Sequence, residues 1–266
     1  MTLTVGSLFS GIGGIDLGLE RAGHKVIWQS EIDLYACKVL QKHWPKVTNH
    51  GDIKKIDWAT VERPDIICGG YPCQPFSTAG KRQGAADPRH LWPWVRQAIS
   101  EIRPRYAMLE NVRGHLSMGA TTVIGELAEI GYDAEWRIIS AAGVGAPHRR
   151  DRIIIVAYPT QLFSNGSDNY ARNSQRPKTV SELRNGGRSQ IVANANSAPK
   201  QHKQVWQVSQ PNFERCSWWA TEPDVGRVAN GVPNRVDRLK GLGNAVVPQV
   251  AELVGRLIGE HAKQLK

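Results

Sequence analysis

A short apolar run, Leu3 to Leu8, gives way to Phe9-Ser10-Gly11-Ile12-Gly13-Gly14 and then to a helical pattern from Ile15 to Ala22 that Gly23 stops. A strand that ends in a glycine turn and opens a helix is the first unit of an α/β sheet, built so that backbone can approach a ligand at the helix N-terminus. The alternation continues along the chain. Val26 to Gln29 reads as a strand and Leu34 to about His43 as a helix, with Pro45 just past its end. Ile66-Ile67-Cys68 and Ala107-Met108-Leu109 are short, fully apolar runs of the kind buried on both faces of a sheet. Between them Leu91, Val95, Ala98, Ile99 and Ile102 recur at helical spacing up to Pro104. Val123 to Ile130 reads as helix, and Tyr132 to Ile138 and Ile153 to Ala157 as strands. The pattern predicts a parallel α/β sheet.

Composition changes at Pro159. From there to about Val205 the chain is rich in Asn, Ser, Gln, Arg and Lys and has no sustained apolar period, so it offers little to bury. Trp206 to Asn234 regains aromatics, and an apolar helical pattern returns from Val246 to Ile258. No run of ~18 apolar residues is present to span a membrane, and the N-terminus lacks the basic head and apolar stretch of a secretion signal. A soluble, cytoplasmic protein is expected. The four cysteines, Cys37, Cys68, Cys73 and Cys216, form no C-x-x-C pair and have no histidine cluster at zinc-ligand spacing, so reduced thiols and no metal site are expected. A formal charge of +10 favours a polyanionic partner, nucleic acid first.

Several residues stand where chemistry is done in such sheets. Glu31 follows the second strand, about twenty residues beyond the glycine turn, where an acid can hold ribose hydroxyls. Asp52, in Gly51-Asp52-Ile53, occupies the next strand-end position. Together they describe a nucleoside pocket; the turn is not G-x-G-x-x-G, which disfavours a nicotinamide cofactor. In Gly69-Gly70-Tyr71-Pro72-Cys73-Gln74, glycines and prolines present a cysteine on a loop above the same edge, whereas Cys68 suits a buried strand position. Glu110-Asn111 follows the strand ending at Leu109, and Gly145 to Arg152 packs three arginines just before a strand.

These segments, Phe9-x-Gly11-x-Gly13-Gly14, Pro72-Cys73-Gln74, Glu110-Asn111-Val112, His148-x-Arg150-x-Arg152 and Gly243-Asn244-Ala245-Val246-x-Pro248, occur in the order found in the DNA (cytosine-5) methyltransferases, and the chain resembles that family over residues 3–157 and 238–262. The resemblance implies a Rossmann-like class I methyltransferase sheet of the α/β class, formed by residues 1–157 and 238–266. A small target-recognition domain is inserted at 158–237. It implies S-adenosyl-L-methionine as cofactor, held by Phe9, Gly11, Gly13, Gly14, Glu31, Ile32, Asp52, Ile53, Pro72, Asn244 and Val246. In that reading Glu31 takes the ribose and Asp52 the adenine amino group. Cys73 matches the nucleophile, Glu110 the carboxyl on the cytosine N3 and N4 edge, and Arg152, with Arg150 beside it, the contact to O2. Ser77, Lys81, Arg82 and Arg89 fall in a loop whose basic residues would meet DNA phosphates. At 148 the chain has His where the family commonly has Gln.

The family chemistry accounts for the residue types. A thiolate adding at cytosine C6 breaks aromaticity and makes C5 nucleophilic toward a sulfonium methyl; Glu110 stabilises the charge that develops in the ring. The base must leave the duplex to be reached. Double-stranded DNA is the implied partner and a monomer the expected state; the sequence identifies neither the target site nor a cognate restriction endonuclease. Two other readings stay open at this point: an RNA (tRNA) cytosine-5 methyltransferase on the same scaffold, and a catalytically silent DNA-binding relative.

Overall fold

The computed structural model describes residues 1–72, 91–160, 205–207 and 235–265. Cys73, Ser77, Lys81, Arg82, Arg89 and most of the polar insert lie outside the described residues.

Seven strands form one sheet. In chain order the elements are β1 (Thr4–Leu8), α1 (Gly14–Arg21), β2 (Lys25–Ser30), α2 (Leu34–His43), β3 (Thr48–Asn49), β4 (Ile66–Gly70), α3 (Trp92–Ile102), β5 (Tyr106–Val112), α4 (His115–Met118), α5 (Ala120–Glu129), β6 (Tyr132–Ile139), β7 (Arg152–Pro159), α6 (Arg235–Asn244) and α7 (Pro248–Gln264). The strand order is β3-β2-β1-β4-β5-β7-β6. From β3 to β5 every neighbouring pair is parallel, but β7 runs antiparallel to both β5 and β6. The sheet is therefore mixed, not wholly parallel as the alternation suggested. The reason lies in the connection: β6 reaches β7 through a 3-10 turn at Ala141–Val144, with no crossover helix to carry the chain back over the sheet.

The period of two along each strand divides the core between the faces. Tyr106 and Met108 of β5 with Ile154, Val156 and Tyr158 of β7 join Ile15 and Leu19 of α1 and Val250, Val254, Leu257 and Ile258 of α7 in one cluster. Ala107 and Leu109 with Ile153 and Ile155 join Val95 and Ile99 of α3 and Val123 and Leu127 of α5 in the other. Both faces are covered, which is why the central strands read as unbroken apolar runs. On the first face α1 and α7 come unusually close. A β-carbon at Gly18 would stand 2.3 Å from the Pro248 carbonyl oxygen, and one at Gly255 would stand 2.8 Å from the Ala22 β-carbon. The C-terminal helix thus packs directly on the N-terminal unit.

The limits drawn for the insert are not those of the elements. β7 continues to Pro159 and α6 begins at Arg235. Inside the insert, Val205 and Trp206 are buried in the first core cluster. The Glu135 carboxylate accepts from the backbone N–H of Val205 at 3.1 Å and from the Tyr158 hydroxyl at 2.6 Å, and the Arg137 guanidinium lies 5.6 Å from the Trp206 ring centre. Trp206 is therefore a core residue of the sheet edge. No helix among the described residues is long and apolar enough to cross a membrane.

Candidate active site

The strand order reverses at β1, whose neighbours β2 and β4 lead off to opposite sides, and the glycine turn lies at its carboxyl end. Ligands bind at such a point because loops diverge there and leave a crevice. The turn is tightly wound: Phe9 takes a φ of 51°, a region that residues with a β-carbon seldom adopt. Gly11 donates its N–H to Oε2 of Glu31 at 2.7 Å, and Oε1 accepts from the N–H groups of Ile32 and Asp33, each at 2.8 Å. Glu31 is half-buried, and a carboxylate has acceptor capacity beyond these three bonds. Beside it Ile32 is 67% exposed, an apolar side chain left in the open at the mouth of the crevice. Asp52 caps the 3-10 turn Ile53–Lys55 by accepting from the Lys54 N–H at 3.1 Å, and Ile53 is buried beneath.

Gly13 and Gly14 serve the protein's own packing. A β-carbon at Gly13 would stand 2.4 Å from the Trp44 ring, and one at Gly14 would stand 2.4 Å from the Val246 carbonyl oxygen. Gly14 thus lets the returning C-terminal segment lie against the turn, which brings Val246, buried, and Asn244, exposed, to the crevice. Beneath the turn is a polar network that sequence reasoning missed. Asp16 is fully buried on α1 and accepts from the Ser7 hydroxyl at 2.9 Å and the Gln29 amide at 2.8 Å; the Ser10 hydroxyl in turn reaches that of Ser7 at 3.0 Å. Burial pushes the Asp16 carboxyl up to about 6. Its donors are residues of two different strands, one of them backed by a loop serine, a set no local pattern announces.

At β4 and β5 the second half of the site assembles. Glu110 lies within β5, opposite Gly70 and Ile154, rather than after the strand as the sequence suggested. It shares a face with Tyr106 and Met108, the face covered by α1 and the C-terminal segment. Its Oε1 pairs with Arg152 Nε at 2.8 Å. Burial pushes the Glu110 carboxyl up, and the charges of Arg152 and Arg150, with the Arg152 hydrogen bond, pull it partly back. A β-carbon at Gly70 would stand 2.7 Å from Glu110 Oε2, so glycine there makes the space that the carboxyl occupies. Asn111, on the opposite face, donates to the Tyr71 carbonyl at 3.1 Å. The Tyr71 hydroxyl and His115 Nε2 lie 2.7 Å apart in a buried pair, and burial lowers the His115 pKa to about 4. These contacts fix the chain at Tyr71, one residue before the half-buried Pro72 and two before Cys73.

Arg150 reaches across to the C-terminal segment. Its Nη2 donates to the carbonyl oxygens of Gly243 at 2.6 Å and Ala245 at 2.8 Å. It holds the C-terminal motif in place, while its charge also acts on the Glu110 carboxyl.

The site is thus a crevice along the carboxyl ends of β1, β2, β4 and β5. Its first half offers a carboxylate held by backbone N–H groups beside exposed apolar surface, an acceptor suited to the hydroxyls of a nucleoside. Its second half offers a buried carboxyl paired with a guanidinium. Among the described residues no group of His, Cys, Asp and Glu could hold a metal ion.

Comparison with known proteins places the chain among methyltransferases. A family model described as C-5 cytosine-specific DNA methylase matches residues 3–221. The chain is 30% identical over 311 residues to the Type II methyltransferase M.NgoMIV of Neisseria gonorrhoeae, with 99% of each covered. It is 40% identical over 167 residues to the Type II methyltransferase M.Eco47II of Escherichia coli, covering 60% of this chain and 40% of that one. It therefore spans the whole of the first relative but well under half of the second. Among solved structures, a DNA modification methyltransferase encoded within an E. coli prophage matches with a TM-score of 0.52 and 28% identity over 60% of this chain and 47% of its own. The S. pombe Dnmt2 methyltransferase matches with a TM-score of 0.61 over 97% of this chain and 99% of its own, at 18% identity a likeness of fold alone.

Proposed function

Because the chain belongs to the C-5 cytosine-specific DNA methylase family, we propose that it methylates C5 of a flipped-out cytosine in duplex DNA, with Cys73 as nucleophile and S-adenosyl-L-methionine as methyl donor. The observation that carries this reading is the pair of buried Glu110 on β5 and half-buried Arg152 on β7, 2.8 Å apart, with β5 next to the strand that leads into Pro72-Cys73. Nothing in DNA binding alone calls for a buried carboxyl there, since buried charge is costly unless paired and placed to act. The charge of +10 and the Type II methyltransferase names of the relatives favour duplex DNA as substrate.

The cofactor would lie across the first half of the crevice. Glu31 would accept from the ribose hydroxyls and Asp52 from the adenine amino group. Ile32 would cover the adenine ring, with Phe9, Gly11, Pro72, Asn244 and Val246 around them. When bound, S-adenosyl-L-methionine supplies an electrophilic methyl on sulfur. In the second half the Cys73 thiolate adds to cytosine C6. Glu110, kept protonated to higher pH than a solvent carboxyl, donates to N3 and stabilises the negative charge that addition drives into the ring. Arg152 holds O2 and orients the Glu110 carboxyl. Once C5 is methylated, a water molecule takes its proton, which restores the C5–C6 double bond and expels the Cys73 thiolate. The base is taken out of the stack first, since neither face of the ring is open within a duplex.

The test is methyl transfer from radiolabelled cofactor to duplex DNA and, separately, to tRNA. Label should enter duplex DNA as 5-methylcytosine, Cys73→Ser should abolish transfer while leaving duplex binding intact, and DNA carrying 5-fluorocytosine should trap the enzyme covalently. Full activity in Cys73→Ser, or transfer to tRNA alone, would overturn the reading.

A further inference from the structure

β3 is only two residues long, and its pairing with β2 stops at Gln29 opposite Asn49, with the His50 N–H bonded to the Gln29 carbonyl at 2.8 Å. The chain then turns away at Gly51, whose φ is 72°. No further strand residue is there to meet the peptide groups of Glu31. The Asn49 side chain meets both. Its Oδ1 accepts from the Glu31 N–H at 3.0 Å, and its Nδ2 donates to the Glu31 carbonyl at 3.1 Å. The amide so replaces the main chain of a missing strand residue. Oδ1 also accepts from the Gly51 N–H at 3.0 Å, while Nδ2 donates to Cys37 Sγ at 3.3 Å. The opposite amide orientation would aim Nδ2 at two N–H donors, so the bonding fixes which end is which. On the far side of the turn, the Ser30 hydroxyl donates to the Gly51 carbonyl at 2.7 Å.

We propose that Asn49 is a positioning residue for the cofactor: by holding both peptide groups of Glu31 and the N–H of Gly51, its amide sets the orientation of Glu31 and its separation from Asp52. The proposal rests on the assignment of Glu31 to the ribose made above. Fixing both peptide groups of Glu31 fixes the direction of its Cα–Cβ bond, and only then can its carboxylate take the Gly11 N–H and still face a ligand. Asp52 follows Gly51 directly, so the same side chain holds the two acids in register. No contact from Asn49 to the ligand is needed.

The test is calorimetry of S-adenosylhomocysteine, and of its 2′-deoxy analogue, with the full chain and with Asn49→Ala and Asn49→Asp. Wild type should bind S-adenosylhomocysteine and lose about tenfold in affinity for the 2′-deoxy analogue, the value of one good hydrogen bond to a charged acceptor. Failure of wild type to bind at all, or binding with no preference for the 2′-hydroxyl, overturns the assignment of Glu31 before any variant is considered. Asn49→Ala should weaken S-adenosylhomocysteine by about tenfold and shrink the 2′-hydroxyl preference toward unity, with duplex affinity unchanged. Asn49→Asp keeps the acceptor and loses the donor, and provides the same measurement should the alanine variant fail to fold. Folded variants that bind both ligands as wild type does, or that weaken both by one common factor, would sink the proposal, because a merely structural role predicts no change in discrimination.

Discussion

At Gly70 the missing side chain and the position of the Glu110 carboxyl are two sides of one contact, 2.7 Å from where a β-carbon would be. A methyl group there cannot be absorbed by the strand, so the carboxylate must swing away from its 2.8 Å pairing with Arg152. Overpacking of this kind costs about 1–3 kcal/mol, which the extensive sheet core can tolerate. Gly70→Ala should therefore melt within several degrees of wild type yet lose tenfold or more in kcat. Glu110→Gln keeps the shape and removes the titration. Its kcat should fall by about 10²–10³, the usual worth of a group that stabilises transition-state charge. The raised pKa of Glu110 means that its protonated form is present below that pKa and lost as pH rises through it. An alkaline fall in wild-type kcat that Glu110→Gln does not share is the expected outcome in a pH series. An unaltered profile in the glutamine variant would remove Glu110 from the chemistry.

Among the elements, the returning segment from α6 into α7 does most to complete the site, and Arg150 is the side chain that ties it down. Hydrogen bonds from a charged group are each worth about 1.5–3 kcal/mol, and Arg150 makes two to the carbonyls of Gly243 and Ala245. Arg150→Ala should therefore raise the cofactor KM, on the order of tenfold or more, while kcat at saturating cofactor changes little. If kcat fell instead, with KM unchanged, Arg150 would belong over the base, as its spacing from Arg152 suggested. That contrast shows what the sequence could and could not reveal. Elements set by local pattern were legible: α2 runs from Leu34 to His43 as read, because Asp33 caps it and Pro45 follows its end. Glu31 was legible because its place follows from the unit of strand, turn and helix. The antiparallel course of β7 was not, since apolar runs carry no direction. Nor were the contacts of Asp16 with Ser7 and Gln29, of Asn49 with Glu31, or of Tyr71 with His115, whose partners belong to other elements and meet only once the sheet exists.

For the whole molecule the question is how a catalytic sheet whose described strands all lie outside residues 160–234 comes to act at one DNA sequence. The described strands and both acid sites are built from the flanking segments, so the insert is where site selection is expected. The insert is rich in Arg, Asn and Gln, side chains suited to bidentate contacts with guanine and adenine. It is not a single free loop, however. Val205 and Trp206 are seated in the core between β6, β7 and α7, with the Glu135 carboxylate on the Val205 N–H. The anchor lies midway along the sheet edge, since Glu135 pairs with Val156, and Val156 with Met108, two residues short of Glu110. It therefore divides the insert into two stretches, 161–204 and 208–234, each tethered at both ends to the catalytic unit. Recognition should reside in these stretches, and the anchor should be a matter of stability. Grafting both stretches from a relative of different specificity, while keeping Val205-Trp206-Gln207, should move methylation to the donor's site in bisulfite maps. Grafting one stretch at a time then assigns the base contacts. Glu135→Ala should lower the melting temperature, since burial leaves the Val205 N–H and the Tyr158 hydroxyl without their acceptor at a cost of about 1–3 kcal/mol each, yet leave the methylated sequence unchanged. A full graft that still methylated the parent's site would place sequence choice on the catalytic unit itself.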